Sequence, residues 1–147
     1  MMIKKISRYF QRIGIDYITD SNRQALSFDV KTPEGEWQCL VLVGNKTKGN
    51  TDNTKKLHSG IGLYSTHPMK VPLTLRNQMA IFLMCLNSDR VFGNFELDPD
   101  SGDLHFKTYI DFENRSFSEK TVERNLLINI SIMEQHLQKL TKMMNCA

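Results

Sequence analysis

No long apolar run occurs in these 147 residues: the longest, Met79 to Leu86, has eight, against the ~18–20 that a membrane-spanning helix needs. Cysteine is scarce. Cys39, Cys85 and Cys146 form no C-x-x-C pair, and their odd number leaves one thiol out of any pairing scheme. A disulfide framework is thereby disfavoured, and a reducing, cytoplasmic setting is expected. Lys4 and Lys5 are followed by neither an apolar signal segment nor a small-residue cleavage site. Asn45-Lys-Thr47, Asn114-Arg-Ser116 and Asn129-Ile-Ser131 are therefore expected to be chance matches to the glycosylation pattern. With 8 Gly and 4 Pro the chain is neither collagenous nor low in complexity, and 40% hydrophobic residues argue against a largely disordered one. The length fits a single domain over residues 1–147.

One-signed charge is also absent. The formal net charge is +3, but it resides in Asn45–Leu57, where Lys46, Lys48, Lys55 and Lys56 face only Asp52. That segment is rich in Asn, Thr and Gly and reads as a solvated loop. Asn94 to Glu119 is the reverse, with seven acidic residues against Lys107 and Arg115. A body with an acidic hairpin and no basic stripe is a poor tracker of phosphates, so no nucleic-acid partner is expected.

Periodicity supplies the elements. Ile3, Ile6, Phe10 and Ile13 at helical spacing predict a helix over 2–13, stopped at Gly14. Leu26, Phe28 and Val30 alternate with polar residues, Pro33-Glu-Gly35 turns the chain, and Trp37–Val43 returns as an inner strand expected to be covered on both faces, or largely so. Gly60–Thr66 forms a further strand, and Pro68 and Pro72 bracket a connector. A second hairpin runs through Phe95 and Leu97, turns at Pro99–Gly102, and comes back through Leu104, Phe106, Thr108, Ile110 and Phe112. The two hairpins echo each other at an offset of 67, Phe28-Asp-Val30 against Phe95-Glu-Leu97 and Gly35 against Gly102. A last helix is expected from a Ser116–Glu119 capping box to about Met143. Its core stripe is Val122, Leu126, Ile130, Met133, Leu137, Leu140 and Met144, widened by Leu127, Ile128 and Ile132.

Residues 73–88 read as the remaining helix. Leu75, Met79, Phe82, Leu83 and Leu86 make its core stripe, yet Ala80, Ile81, Met84 and Cys85 make its other sides apolar too. A helix apolar all round must be covered all round. The expected contacts of a second chain are Ile81, Met84 and Cys85; the alternative cover is the long last helix or a strand. Cys39 and Cys85 both read as small buried hydrophobes, and Cys146 as exposed.

Signatures of chemistry are missing. The acidic turn Asp98–Asp103 fails the calcium-loop pattern, with Gly102 at the fifth position and Tyr109 at the twelfth. His58, His67, His105 and His136 stand singly, and His105 is expected to be solvated beside Lys107 and Asp111. Gly60-Ile-Gly62 enters a strand, the wrong context for a dinucleotide loop. No catalytic residue, metal or cofactor is expected.

From Phe92 to Glu113 the chain resembles the hairpin of the YbjN-domain family, especially its cyanobacterial-type, uncharacterised members. The G-N-F-E-L-D stretch at 93–98, Gly102, Lys107-Thr108 and, further on, Asn129, Ile130, Met133 and Glu134 carry that likeness; Trp37-Gln-Cys-Leu40 resembles the family's second strand. The resemblance implies a fold like that of type III secretion chaperones. This is a two-layer α+β domain, its antiparallel sheet of about five strands having helices on one side, in the order α-β-β-β-α-β-β-α. The function expected is a non-enzymatic cytoplasmic interaction or regulatory module that forms a homodimer or takes an unidentified protein partner, without a membrane. A peptide-binding chaperone is the alternative, and a small enzyme a third reading.

Overall fold

The computed structural model describes residues 1–44, 60–112 and 115–146. Helix α1 (Met2–Ile13) leads into β1 (Ile18–Asp20), β2 (Ala25–Thr32), β3 (Gly35–Val43) and β4 (Gly60–Thr66). A single 3₁₀ turn (Leu73–Leu75) then opens α2 (Arg76–Ser88), followed by β5 (Asn94–Leu97), β6 (Leu104–Asp111) and α3 (Glu119–Asn145). The sheet has six strands in the order β1-β2-β3-β4-β6-β5, every pair antiparallel. The strand beyond the expected five is β1. Its three residues are all exposed and carry no alternation that a pattern could register.

Alternation decides which face of the sheet is covered. Leu26, Phe28, Val30, Trp37, Cys39, Val41, Ile61, Leu63, Phe95, Leu104, Phe106 and Ile110 point to one side and are buried with the helices. Gly14 ends α1 in the left-handed region at φ 77°, where the backbone bonds Gly14 to Gln11 and Ile15 to Phe10 close the helix. Phe10 meets Phe28 edge-on, ring centres 5.3 Å apart, which docks α1 on β2. The α3 stripe is buried, except that Ile130 is half-buried, and Leu127, expected to widen that band, stands exposed instead. The cap of α3 is Ser118 rather than Ser116: its hydroxyl accepts the Thr121 N–H at 3.2 Å, so Glu119 is the first helical residue and not the far partner of a capping box.

Among the described residues, no helix packs on the second face of the sheet. Leu40 and Leu42 lie on it half-buried, in rows with Tyr64 and Gly62, so among the described residues helices cover β3 on one face, where cover on both or largely so was expected. The Tyr64 ring lies against Gly62 and the Tyr109 hydroxyl against Gly60, leaving no space for a Cβ on either glycine. The hairpin echo extends to register: Phe28 faces Cys39 as Phe95 faces Phe106, and Val30 faces Trp37 as Leu97 faces Leu104. The Lys-rich stretch 45–57 lies outside the described residues. Among the described residues no helix is long and apolar enough to cross a membrane.

Candidate interaction surface

Helix α2 is clamped at both ends. The Arg76 guanidinium donates to the carbonyls of Val71 (3.1 Å), Pro99 (2.9 Å) and Asp100 (2.8 Å), tying the first turn to the β5–β6 loop. Glycine is needed at 102 for this approach: its φ is +79°, and a Cβ would lie 2.5 Å from the Val71 oxygen. At the other end the Asn87 carboxamide donates to the Phe95 carbonyl (2.9 Å) and accepts the Phe95 N–H (2.7 Å). These backbone groups point away from β6, so one side chain fills the place of a neighbouring strand.

Between the clamps, Met79 and Leu83 are buried and Leu75, Phe82 and Leu86 half-buried, as the core stripe predicts. Ile81 (62% exposed) and Met84 (65%) face outward, with Ala80 and Cys85 exposed beside them. Cys85 is thus not the buried hydrophobe expected of it. Helix α3 packs along the Phe82 flank, where the Lys139 ammonium lies 5.0 Å from the ring centre, and leaves Ile81 and Met84 uncovered. No charged residue occurs between Arg76 and Asp89, so the outward face is uncharged.

No family model matches the chain, and no curated protein does. A solved structure does. The crystal structure of YbjN from E. coli, described as a candidate transcription regulator, has a TM-score of 0.62 over 95% of this chain and 91% of its own, at 11% identity. The chain has the YbjN fold. At that identity the likeness is one of architecture. The YbjN fold also gives physical roles to residues that carried the resemblance in sequence. Asn129 is fully buried, and its amide reaches the carbonyls of Leu63 (3.0 Å) and Phe106 (3.1 Å) and the Thr108 hydroxyl (3.1 Å), pinning α3 across β4 and β6. The same burial makes its glycosylation pattern inert. Met133 is buried one turn further on.

Several titratable groups elsewhere on this YbjN fold are engaged in structural contacts or buried. His105 is half-buried and paired rather than freely solvated: its Nε2 meets the Glu96 carboxylate at 2.8 Å and its ring meets Tyr64 edge-on. Burial alone would raise Glu96, but hydrogen bonds from His105 and Asn94 and the Lys107 charge outweigh it, and its carboxyl titrates below the usual range. Burial works against the charged form of Lys107, yet Tyr64 and Glu96 carry its proton affinity above normal. His67 is buried. It accepts the Met69 N–H at Nδ1 (3.0 Å), which places its proton on Nε2, facing the Thr141 hydroxyl (3.0 Å) that donates onward to the Leu137 carbonyl. Burial pushes the Cys39 thiol up to about 12, so it is inert. The acidic turn is organised by Asp98 itself, whose carboxylate accepts the N–H groups of Asp100 and Ser101. Sequence reasoning missed Arg76 and Asn87, and named Asn129 for its family likeness without its role as a buried donor. Asn129 alone left a signal, as a polar residue inside the apolar stripe of its helix.

Proposed function

We propose that the protein is a non-enzymatic interaction or regulatory module that self-associates through the outward face of α2, with Ile81, Met84 and Cys85 as contacts. One observation carries this reading: an uncharged apolar face held rigid by clamps at both helix ends. A fixed apolar face loses little conformational freedom on docking. Lacking charge, it meets an identical face without like-charge opposition, as a two-fold pair requires. What supports binding over catalysis is that His67, His105, Glu96 and Cys39 are each engaged in structural pairing or buried. Three free thiols, two of them exposed, support a reducing compartment such as the cytoplasm. The acidic β5–β6 hairpin supports a protein partner over a nucleic acid, and a regulatory role parallels the description of the YbjN structure. A chaperone for extended peptides is the second reading, favoured by the sheet face with half-buried Leu40 and Leu42 that no helix covers among the described residues.

Sedimentation velocity at micromolar concentration tests the first reading. A dimer is expected for the native chain, and a monomer for Ile81→Glu and Met84→Glu with melting temperature kept, because both positions are already solvent-facing. A native chain that sediments as a strict monomer refutes it.

A further inference from the structure

Along the seam where α2 meets α3, the two ends differ in character. At the end near the α3 C-terminus, a cavity of about 300 Å³ is lined by Leu75, Gln78, Met79, Met143 and Cys146. At the other end sit three basic groups. The Arg90 guanidinium lies 5.4 Å from the ring centres of both Phe95 and Phe106 and donates to His136 Nε2 at 2.7 Å. Lys139, one turn beyond His136 on α3, extends over Phe82. Among the described residues, neither Arg90 nor Lys139 has a carboxylate within ion-pairing distance, although Glu119, Asp20, Asp103 and Glu96 are paired elsewhere. The Arg90 Nε is buried with no partner.

We infer that Arg90 and Lys139 form an oxyanion site on this seam, taking a carboxylate or phosphoryl group, with His136 positioning the guanidinium. The half-buried Arg90 guanidinium and the exposed Lys139 ammonium both act on His136, and a bound anion offsets the repulsion among these groups. The guanidinium is already oriented by two aromatic rings and an imidazole acceptor, so its remaining N–H donors lose little freedom on binding. His136 reports on the site. Burial and the charges of Arg90 and Lys139 hold its proton affinity below the ordinary value, and a bound anion reverses the electrostatic part. This inference does not depend on self-association through α2.

The test follows the His136 imidazole by carbon–proton NMR on the full chain, its signal identified by loss in His136→Gln. Sodium acetate, sodium phosphate and sodium chloride are titrated at matched ionic strength. Expected is a saturable response to acetate or phosphate that chloride lacks, with the His136 pKa raised by about half a unit or more. Affinity should fall at least about threefold in Lys139→Gln, an exposed position where folding is not at stake. A stronger response to acetate marks a carboxylate ligand, and to phosphate a phosphoryl ligand. A response that tracks ionic strength in all three salts, or that survives unchanged in both Lys139→Gln and Arg90→Gln, overturns the site.

Discussion

Replacing Asn129 by Asp changes one NH₂ for one oxygen, and the surroundings make that exchange severe. The Asn129 amide nitrogen lies 3.0–3.1 Å from two carbonyl oxygens and a hydroxyl. In Asn129→Asp an acceptor would face those acceptors, and its charge would be buried without a partner, costing about 3–5 kcal/mol. Protonation offers an escape with its own cost. Holding a carboxyl of ordinary pKa about 3.9 neutral at pH 7 takes about three units at 1.36 kcal/mol each, roughly 4 kcal/mol. Both routes reach a similar figure, so a loss of about 3–5 kcal/mol at pH 7 is expected. Asn129→Ala, which removes the donors without adding charge, should lose about 1–3 kcal/mol. The sign with pH is fixed. The folded state raises the new carboxyl above its unfolded value and binds more protons, so the variant loses stability as pH rises above about 4. Urea unfolding of the native chain and both variants at pH 7 and pH 5 reads this directly. Measured against the native chain at each pH, the Asp variant should recover up to about 2.7 kcal/mol at pH 5, while the Ala variant's deficit stays level. An Asp loss no larger than the Ala loss, or one indifferent to pH, refutes the assigned role of Asn129.

Two further outcomes follow from the geometry. Asn87→Ala should destabilise the fold by about 1–3 kcal/mol by leaving the Phe95 N–H and carbonyl without their partner, and amide exchange at Phe95 should accelerate more than at Phe106. Burial lowers His67, and burial with the Arg90 and Lys139 charges lowers His136, so the unfolded chain binds more protons around and below the ordinary histidine value of 6.5. Stability should therefore be level above that value and fall as the pH drops through it towards the lowered folded values. Each group contributes at most about 1.4 kcal/mol per pH unit, and thermal melts between pH 7.5 and 5 should show a shallower slope in His67→Gln.

Elements with one clean period were legible: α1, the two hairpins and the α3 stripe each have a polar side that marks their apolar one. Strand β1 was not, since three exposed residues carry no alternation. The two-sided apolar runs misled in opposite ways. In β3, Leu40 and Leu42 suggested a second covering layer, but they are half-buried on a face that no helix covers among the described residues. In α2, Ile81, Met84 and Cys85 were all set apart from the core stripe and all stand exposed, and only the separate reading of Cys85 as a small buried hydrophobe failed. The cap of α3 slipped by two residues because Ser116 and Ser118 both precede Glu119 closely enough to qualify. The clamps at Arg76 and Asn87 join residues 5 to 24 positions apart through backbone groups, which no side-chain pattern encodes.

Asn87 has one more consequence. A sheet grows into a fibre only if both margins accept a new strand, because each added chain must offer a fresh margin to the next. Here the β5 margin is stoppered at Phe95 by Asn87, while β1, at the opposite margin, is three residues long and pairs only with β2 among the described residues. Strand pairing through β1 would therefore halt at two chains, and Asn87 acts as a chain terminator that keeps an edge-open sheet finite.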